Sequence, residues 1–497
     1  MKKYLLFISL ALVVSSCKKF LDIQPESDVT KEQLFSNEEG FKEALNGVYT
    51  KCAGANLYGG NLTFSNLDIM AQNYTLSNIN YQKVASFQYK DNVLKDKNST
   101  IWNSAYDAIG NCNEILQVID KQKALFSANN YAIIKGEALA LRAYLHFDVL
   151  RMFANSYKSN PLGRGIPYVT TVGIKSTPFL NVTEALNMAI TDLRDAKTLL
   201  STTDPILSAG YIVGYPNKIY PDNFTGKKQT ETSSNILFLQ NRRHRLNYFA
   251  ICAELARVYL YKADYSNSLS NATEVINSQK FPWTDKADAF NNNSQQRDKI
   301  FYNELVFGWY VPRANDNDML INLYTKLNVA DYQPTPLQLD NIYEKSSIGA
   351  EDWRYRQWFT TATDVTPNRS YLIKYTTNTT PLINLHPLMA PALRLGEMYY
   401  IAAEATYDSD PVKAIGYLNT MRTHRGIIDL LPTTLNKTAF INELVKEYRK
   451  ETYGESQVFY AYKRLNLDLV ASSGQIYPAS DNIFVFPVPD DELAYNN

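Results

Sequence analysis

The chain has 497 residues, with 50 Lys and Arg against 50 Asp and Glu, for a formal net charge of +0. That balance excludes binders of nucleic acid or other polyanions that work by neutralising phosphates, and the length admits one very large domain or two to three ordinary ones. The less ordinary number is aromatic, with Tyr 36, Phe 22 and Trp 5; a tyrosine couples an apolar ring face to a polar tip, which suits binding surfaces as well as helix packing.

Lys2 and Lys3 precede the apolar run Tyr4 to Val14, the charged and hydrophobic regions of an export signal. The run is too short to span a bilayer. Val14-Ser15-Ser16-Cys17 then sets a cysteine directly after a small-residue cleavage site, a pattern that resembles a lipobox. The expectation is removal of residues 1–16 and lipid on Cys17. Acyl chains contribute about 0.8 kcal/mol per buried CH₂, so several on one cysteine anchor stably. No later stretch reaches transmembrane length, which leaves lipid as the expected anchor. Cys52, Cys112 and Cys252 remain, an odd number that does not suggest a disulfide framework. Cys112 and Cys252 sit in helical patterns and read as small buried hydrophobes.

A period of 3.6 predicts helices over about Thr100 to Lys121, Tyr131 to Phe153, Val182 to Leu200, Arg245 to Tyr261, Tyr265 to Asn277, Leu393 to Tyr407, Pro411 to Arg425 and Ala439 to Leu465. Asn181 or Thr183 before an acidic first turn, and Asp410 before Pro411, supply start signals. Ala138 to Phe147 is apolar on almost every side, as a central helix needs. Leu255-Ala256 with Tyr259, and Leu395-Gly396 with Tyr399, share the spacing of a tetratricopeptide first helix, so helical hairpins are expected to form a scaffold.

Three stretches lack this periodicity: Gly54 to Asn98, Ser201 to Arg243 and Thr360 to Pro391. Loops that long are expected to carry function, with short strands and turns. Leu305 to Trp309 reads as a short buried strand.

A glycan site needs exposed aromatic rings to stack on sugar faces, flanked by Asn, Asp, Gln or Arg for the hydroxyls. Two places fit: the loop with Asn73, Tyr74, Asn80 and Tyr81, and the run Trp309-Tyr310-Val311-Pro312-Arg313-Ala314-Asn315-Asp316 leading to Tyr324. The plain reading of any one such ring is core packing. Trp102, at helical spacing with Tyr106 and Ile109, belongs to the scaffold, while Trp353 and Trp358, bracketing Arg354 and Arg356, fit either role. Asn315 to Asp318 lacks the glycine and terminal glutamate of a calcium loop and reads as a polar turn. Glu443, Glu447 and Glu451 share a helix face with Lys446, Arg449 and Lys450 nearby, which favours ion pairing over paired catalytic carboxylates. None of the four histidines stands in H-E-x-x-H, and no G-x-S-x-G or Walker loop occurs, so no metal, cofactor or catalytic residue is expected.

Several blocks in order resemble the SusD/RagB family of outer-membrane nutrient-binding lipoproteins of Bacteroidetes. They are Cys17 to Pro25, Trp102 with Tyr106, Ile109 and Asn113, Ala138 to Phe147 with Arg151, Leu246 to Tyr261, Arg394 to Ala405, Leu418 to Gly426, Glu447 to Glu455 with Lys463-Arg464, and Phe486 to Glu492. The resemblance implies a mostly α fold: tetratricopeptide-like hairpins in a scaffold of about 30–53, 99–200, 245–280 and 392–465, with loop-rich ligand-facing parts of about 54–98, 201–244 and 281–391, all within a single domain over 17–497. It also implies capture of a glycan, or in some members a peptide, and delivery to a TonB-dependent SusC-like transporter without catalysis. Localisation would be the outer membrane, at the cell surface, through lipid on Cys17. The ligand platform varies within the family, so Asn73, Tyr74, Tyr81, Trp309, Arg313 and Tyr324 stand as ligand-binding candidates on their chemistry alone. A surface glycoside hydrolase, with carboxylates from distant segments, and a structural assembly module are the rivals.

Overall fold

A computed structural model of the chain describes residues 30–215, 229–293, 296–311, 324, 332–363, 368–376, 389–471 and 474–496. It is mostly helical with a few short strands. Eight helices form one row in chain order: α1 Glu38–Cys52, α2 Asn92–Ile119, α3 Asn130–Phe153, α4 Val182–Leu200, α5 Tyr248–Tyr261, α6 Tyr265–Asn277, α7 Leu395–Thr406 and α8 Pro411–His424. Each packs on the next, so the row is a succession of helical hairpins.

Local chemistry sets the helix ends. The Asn181 side chain accepts from the Glu184 amide while Glu184 reaches back to the Asn181 amide, a reciprocal cap at the start of α4. Asp410 accepts from the Lys413 amide ahead of Pro411 at the first position of α8. Helix α3 is buried over Gly136 to Phe153 without a break, the central helix that its all-round apolar pattern requires. Cys52, Cys112 and Cys252 are all buried and unbridged.

Two features depart from the sequence expectations. Ala439 to Leu465 is two helices, α9 Lys437–Glu451 and α10 Gln457–Leu465. Gly454 at φ +74 and Ser456 at φ +60 turn the chain between them, and that turn aims Glu455 inward to Arg394, whose Nε donates to it at 2.7 Å. The second departure is Gly54 to Asn98, which holds the short helices Asn66–Met70 and Ile79–Ala85 and the opening of α2. The predicted strand is present as β1 Leu305–Tyr310, antiparallel to β2 Met389–Arg394.

Glu443, Glu447 and Glu451 are indeed ion-paired, with a wider set of partners than their neighbours on the helix. Glu447 meets Arg354, Arg422 and Lys450, and Glu451 meets Arg354 and Arg425, which also holds Glu304 at 2.5 Å. Burial alone would raise the Glu447 pKa, but Lys450, Arg354 and Arg422 overcome it and hold it down, from 4.5 to about 2. Because the unfolded chain takes up this proton first as pH falls, the contribution is whole above about 4.5 and is lost as pH drops through about 2. Urea titrations across that window are expected to show a loss on the order of 3 kcal/mol from this carboxylate, and a Glu447→Gln variant should show a correspondingly shallower acid limb.

Candidate functional site

The four-residue run Arg242-Arg243-His244-Arg245 leads into α5 and fixes one side of the site. Arg242 and Arg243 point inward and are fully buried. Arg242 pairs with Glu137 of α3 at 2.7 Å and with Asp204 at 2.9 Å, and Arg243 pairs with Glu231. His244 and Arg245 face the other way, onto a cleft of about 1100 Å³.

Further elements complete the wall of this cleft. Helix α1 contributes Glu39, Lys42, Asn46 and Tyr49. The turn Leu237–Leu239 and the residues after it bring Phe238, Gln240 and Asn241. Strand β1 supplies Trp309 and Tyr310. The next turns of chain from α1 pack so closely that a Cβ on Gly59, itself part of the wall, would fall 1.9 Å from the Ala53 carbonyl oxygen, so only glycine fits there.

The strand's period of two decides which ring is available. Trp309 is 1 % exposed and stacks on Tyr58 at 4.4 Å, whereas Tyr310 turns outward, is 45 % exposed and lies parallel to the His244 ring at 5.4 Å. Burial, then the adjacent Arg243 and Arg245, push His244 down to about 3, so the imidazole beside Tyr310 is neutral at any physiological pH. The Arg245 guanidinium lies between the Tyr49 and Phe238 rings, at 4.5 and 4.6 Å. It donates to Glu137 at 2.8 Å and to Asn46 at 2.7 Å. Tyr49 also donates to Glu137 at 2.8 Å, so the cleft floor is fastened to the central helix.

The candidates chosen from sequence divide between two places. Asn73, Tyr74, Tyr81 and Tyr324 come together away from the cleft lining, in a nest of tyrosines. Asn73 is fully buried and accepts from Arg449 at 2.6 Å. Tyr74 is 6 % exposed, donates to the buried Asp68 carboxylate, and packs on Tyr332 at 4.8 Å and Tyr453 at 5.2 Å. Tyr324 is 1 % exposed and donates to the Phe64 carbonyl at 2.6 Å. Tyr81 is half-buried, edge-on to Tyr332 at 5.3 Å. The expectation of exposed rings is therefore not met at Tyr74 and Tyr324: each hydroxyl finds an internal acceptor, so each ring can be interior. Nor is it met at Trp309, which borders the cleft but keeps its ring buried, and Arg313 lies outside the described residues. Trp102 is a scaffold ring, packed on Tyr106 and Phe153. Trp358 is fully buried under Lys374.

Sequence reasoning missed Tyr49, His244, Arg245 and the outward-facing role of Tyr310. The alternation along β1 was the available signal for Tyr310; nothing local marks Tyr49 or Arg245, which meet only through folding.

The fold and the cleft define a protein of stacked helical hairpins with an aromatic-lined cleft. Residues 220–495 match the model of the SusD family, and residues 19–207 match a related model described as starch-binding and associating with the outer membrane. The chain belongs to the SusD family. SusD-like protein P38 of Formosa agariphila is 23% identical over 316 residues, 61% of this chain and 49% of that protein, so the match spans about half of that relative's length. A SusD-like carbohydrate binding protein from Bacteroides vulgatus has the same fold with a TM-score of 0.70 at 18% identity, over 93% of this chain and 97% of that one. A SusD superfamily protein from Bacteroides thetaiotaomicron gives 0.69 at 22%, over 93% and 98%.

The two sets of rings should separate on mutation. Tyr74→Ala is expected to lower unfolding free energy by about 3–5 kcal/mol, the cost of truncating a buried aromatic, and Tyr310→Ala to change it by less than about 1 kcal/mol. Urea denaturation of both variants checks this; equal losses would contradict the assignment.

Proposed function

We propose that this protein is a surface lipoprotein that captures a glycan in the cleft beside β1 and passes it to a TonB-dependent SusC-like transporter. The observation that carries the reading is the outward-facing Tyr310, backed by His244 and flanked within one cleft by the side-chain amides of Asn46, Gln240 and Asn241. A ring of that kind offers its face to a sugar while the amides meet hydroxyls. The cleft volume of about 1100 Å³ is enough for several sugar units. Membership of the SusD family supports the same role, as do relatives named as carbohydrate-binding.

The remaining parts of the proposal are the anchor, the site of action and the partner. Lipid on Cys17 would tether the mature chain, acting as one domain over 17–497, to the outer membrane. Among the described residues no helix is long and apolar enough to cross a membrane. Capture needs no covalent step. Glycoside hydrolysis would need two carboxylates about the scissile bond, and Glu39 is the one carboxylate among the described residues that wall the cleft.

Affinity electrophoresis against a panel of polysaccharides tests capture. The wild-type chain is expected to be retarded by at least one of them without releasing reducing ends, and Tyr310→Ala to weaken that interaction about five- to tenfold, the worth of one stacked ring. Retardation unchanged by Tyr310→Ala would place the site elsewhere. Cys17→Ala is expected to move the protein from the membrane to the soluble fraction.

A further inference from the structure

The charges around the cleft carry a statement about ligand class, which rests on the capture reading above. Two cations line it among the described residues, Lys42 and Arg245, and both are already matched. Lys42 lies 2.8 Å from Glu38 and 3.2 Å from Glu39. Burial alone would lower the Lys42 pKa, yet its hydrogen bonds to the two carboxylates leave it raised. Arg245 shares Glu137 with Arg242, which also holds Asp204, so two guanidiniums face two carboxylates and that group sums to zero. His244, held neutral, adds nothing. Glu38, Glu39 and Lys42 together leave one negative charge at the α1 edge.

Hydrogen-bonding capacity, by contrast, is present without charge, in the amide side chains of Asn46, Gln240 and Asn241, which offer donors and acceptors alike. Two buried polar atoms of cleft-wall residues have no partner among the described residues, Arg245 Nη2 and Trp309 Nε1. Both are donors. They are shielded from the cleft, so the groups open to a ligand are the neutral amides, which a sugar hydroxyl or ring oxygen meets without adding charge. A carboxylate at Arg245 would also accept, but it would meet Glu137 across the same guanidinium and Glu39 at the rim, with no unmatched cation among the described lining residues to offset its desolvation.

We infer that the cleft takes uncharged glycans and discriminates against uronate-bearing ones, the cations that line it among the described residues being already matched by carboxylates of the protein.

Isothermal titration of the purified full chain with gluco-, manno- and xylo-oligosaccharides on one side, and galacturonate and glucuronate-containing oligosaccharides on the other, tests this. The expected result is that the tightest probe is neutral, that uronate probes bind at least about tenfold more weakly, and that the neutral affinity changes less than about twofold between about 50 and about 500 mM NaCl. A uronate probe binding tightest, or an affinity that falls steeply with salt, would overturn the inference and leave capture intact. Binding of no probe from either panel would overturn the capture reading, and this inference with it.

Discussion

Buried arginine–carboxylate pairs are the constraint on which the rest of this structure depends. They tie segments outside the regular helices to the scaffold at several points. Arg242 joins the run before α5 to Glu137 of α3 and to Asp204. Arg354, from the segment between β1 and β2, is fully buried against Glu447 and Glu451 of α9. Lys374 and Arg394 converge on Glu455 in the turn between α9 and α10. Such pairs add little net stability compared with a well-packed apolar substitute, because both ions must be desolvated. Removing one partner, however, strands the other in the interior, so each pair makes its own geometry far cheaper to keep than to leave.

That property explains how a protein with so much irregular chain presents a defined surface. Glu137 is the junction: the same carboxylate receives Arg242 from the interior, and Arg245 and Tyr49 from the cleft. Tyr49, and through Arg245 the Phe238 ring, are therefore positioned by the central helix, while Tyr310 is positioned by its strand. A surface held in place before the ligand arrives loses less side-chain entropy on binding, which matters for shallow stacking contacts that are each worth little.

The helical half of the fold was legible because its signals are local. Caps at Asn181 and Asp410, and the all-round apolar α3, can be read from a few neighbouring residues. The break between α9 and α10 was not, since Thr452 to Ser456 carries a single glycine, and the reason for the turn, Glu455 reaching Arg394 and Lys374, lies some 60 to 80 positions away. The site was half legible for a related reason. Interleaved tyrosines and amides describe an exposed sugar platform and an interior tyrosine nest equally well, and only tertiary partners distinguish them. Asp68 for Tyr74 and the Phe64 carbonyl for Tyr324 are such partners. Tyr310 differs because its neighbour Trp309 occupies the inward face of β1, which leaves the outward face to it.

The most direct test of this account is a crystal structure of the protein with a bound oligosaccharide. A sugar ring lying on Tyr310, with oxygens toward Asn46 and Arg245 and the Glu137 linkage undisturbed, is the outcome that follows from a cleft fixed in advance by buried ion pairs. A sugar bound instead at the Tyr74–Tyr324 nest, or a cleft formed only after Arg245 leaves Glu137, would contradict it.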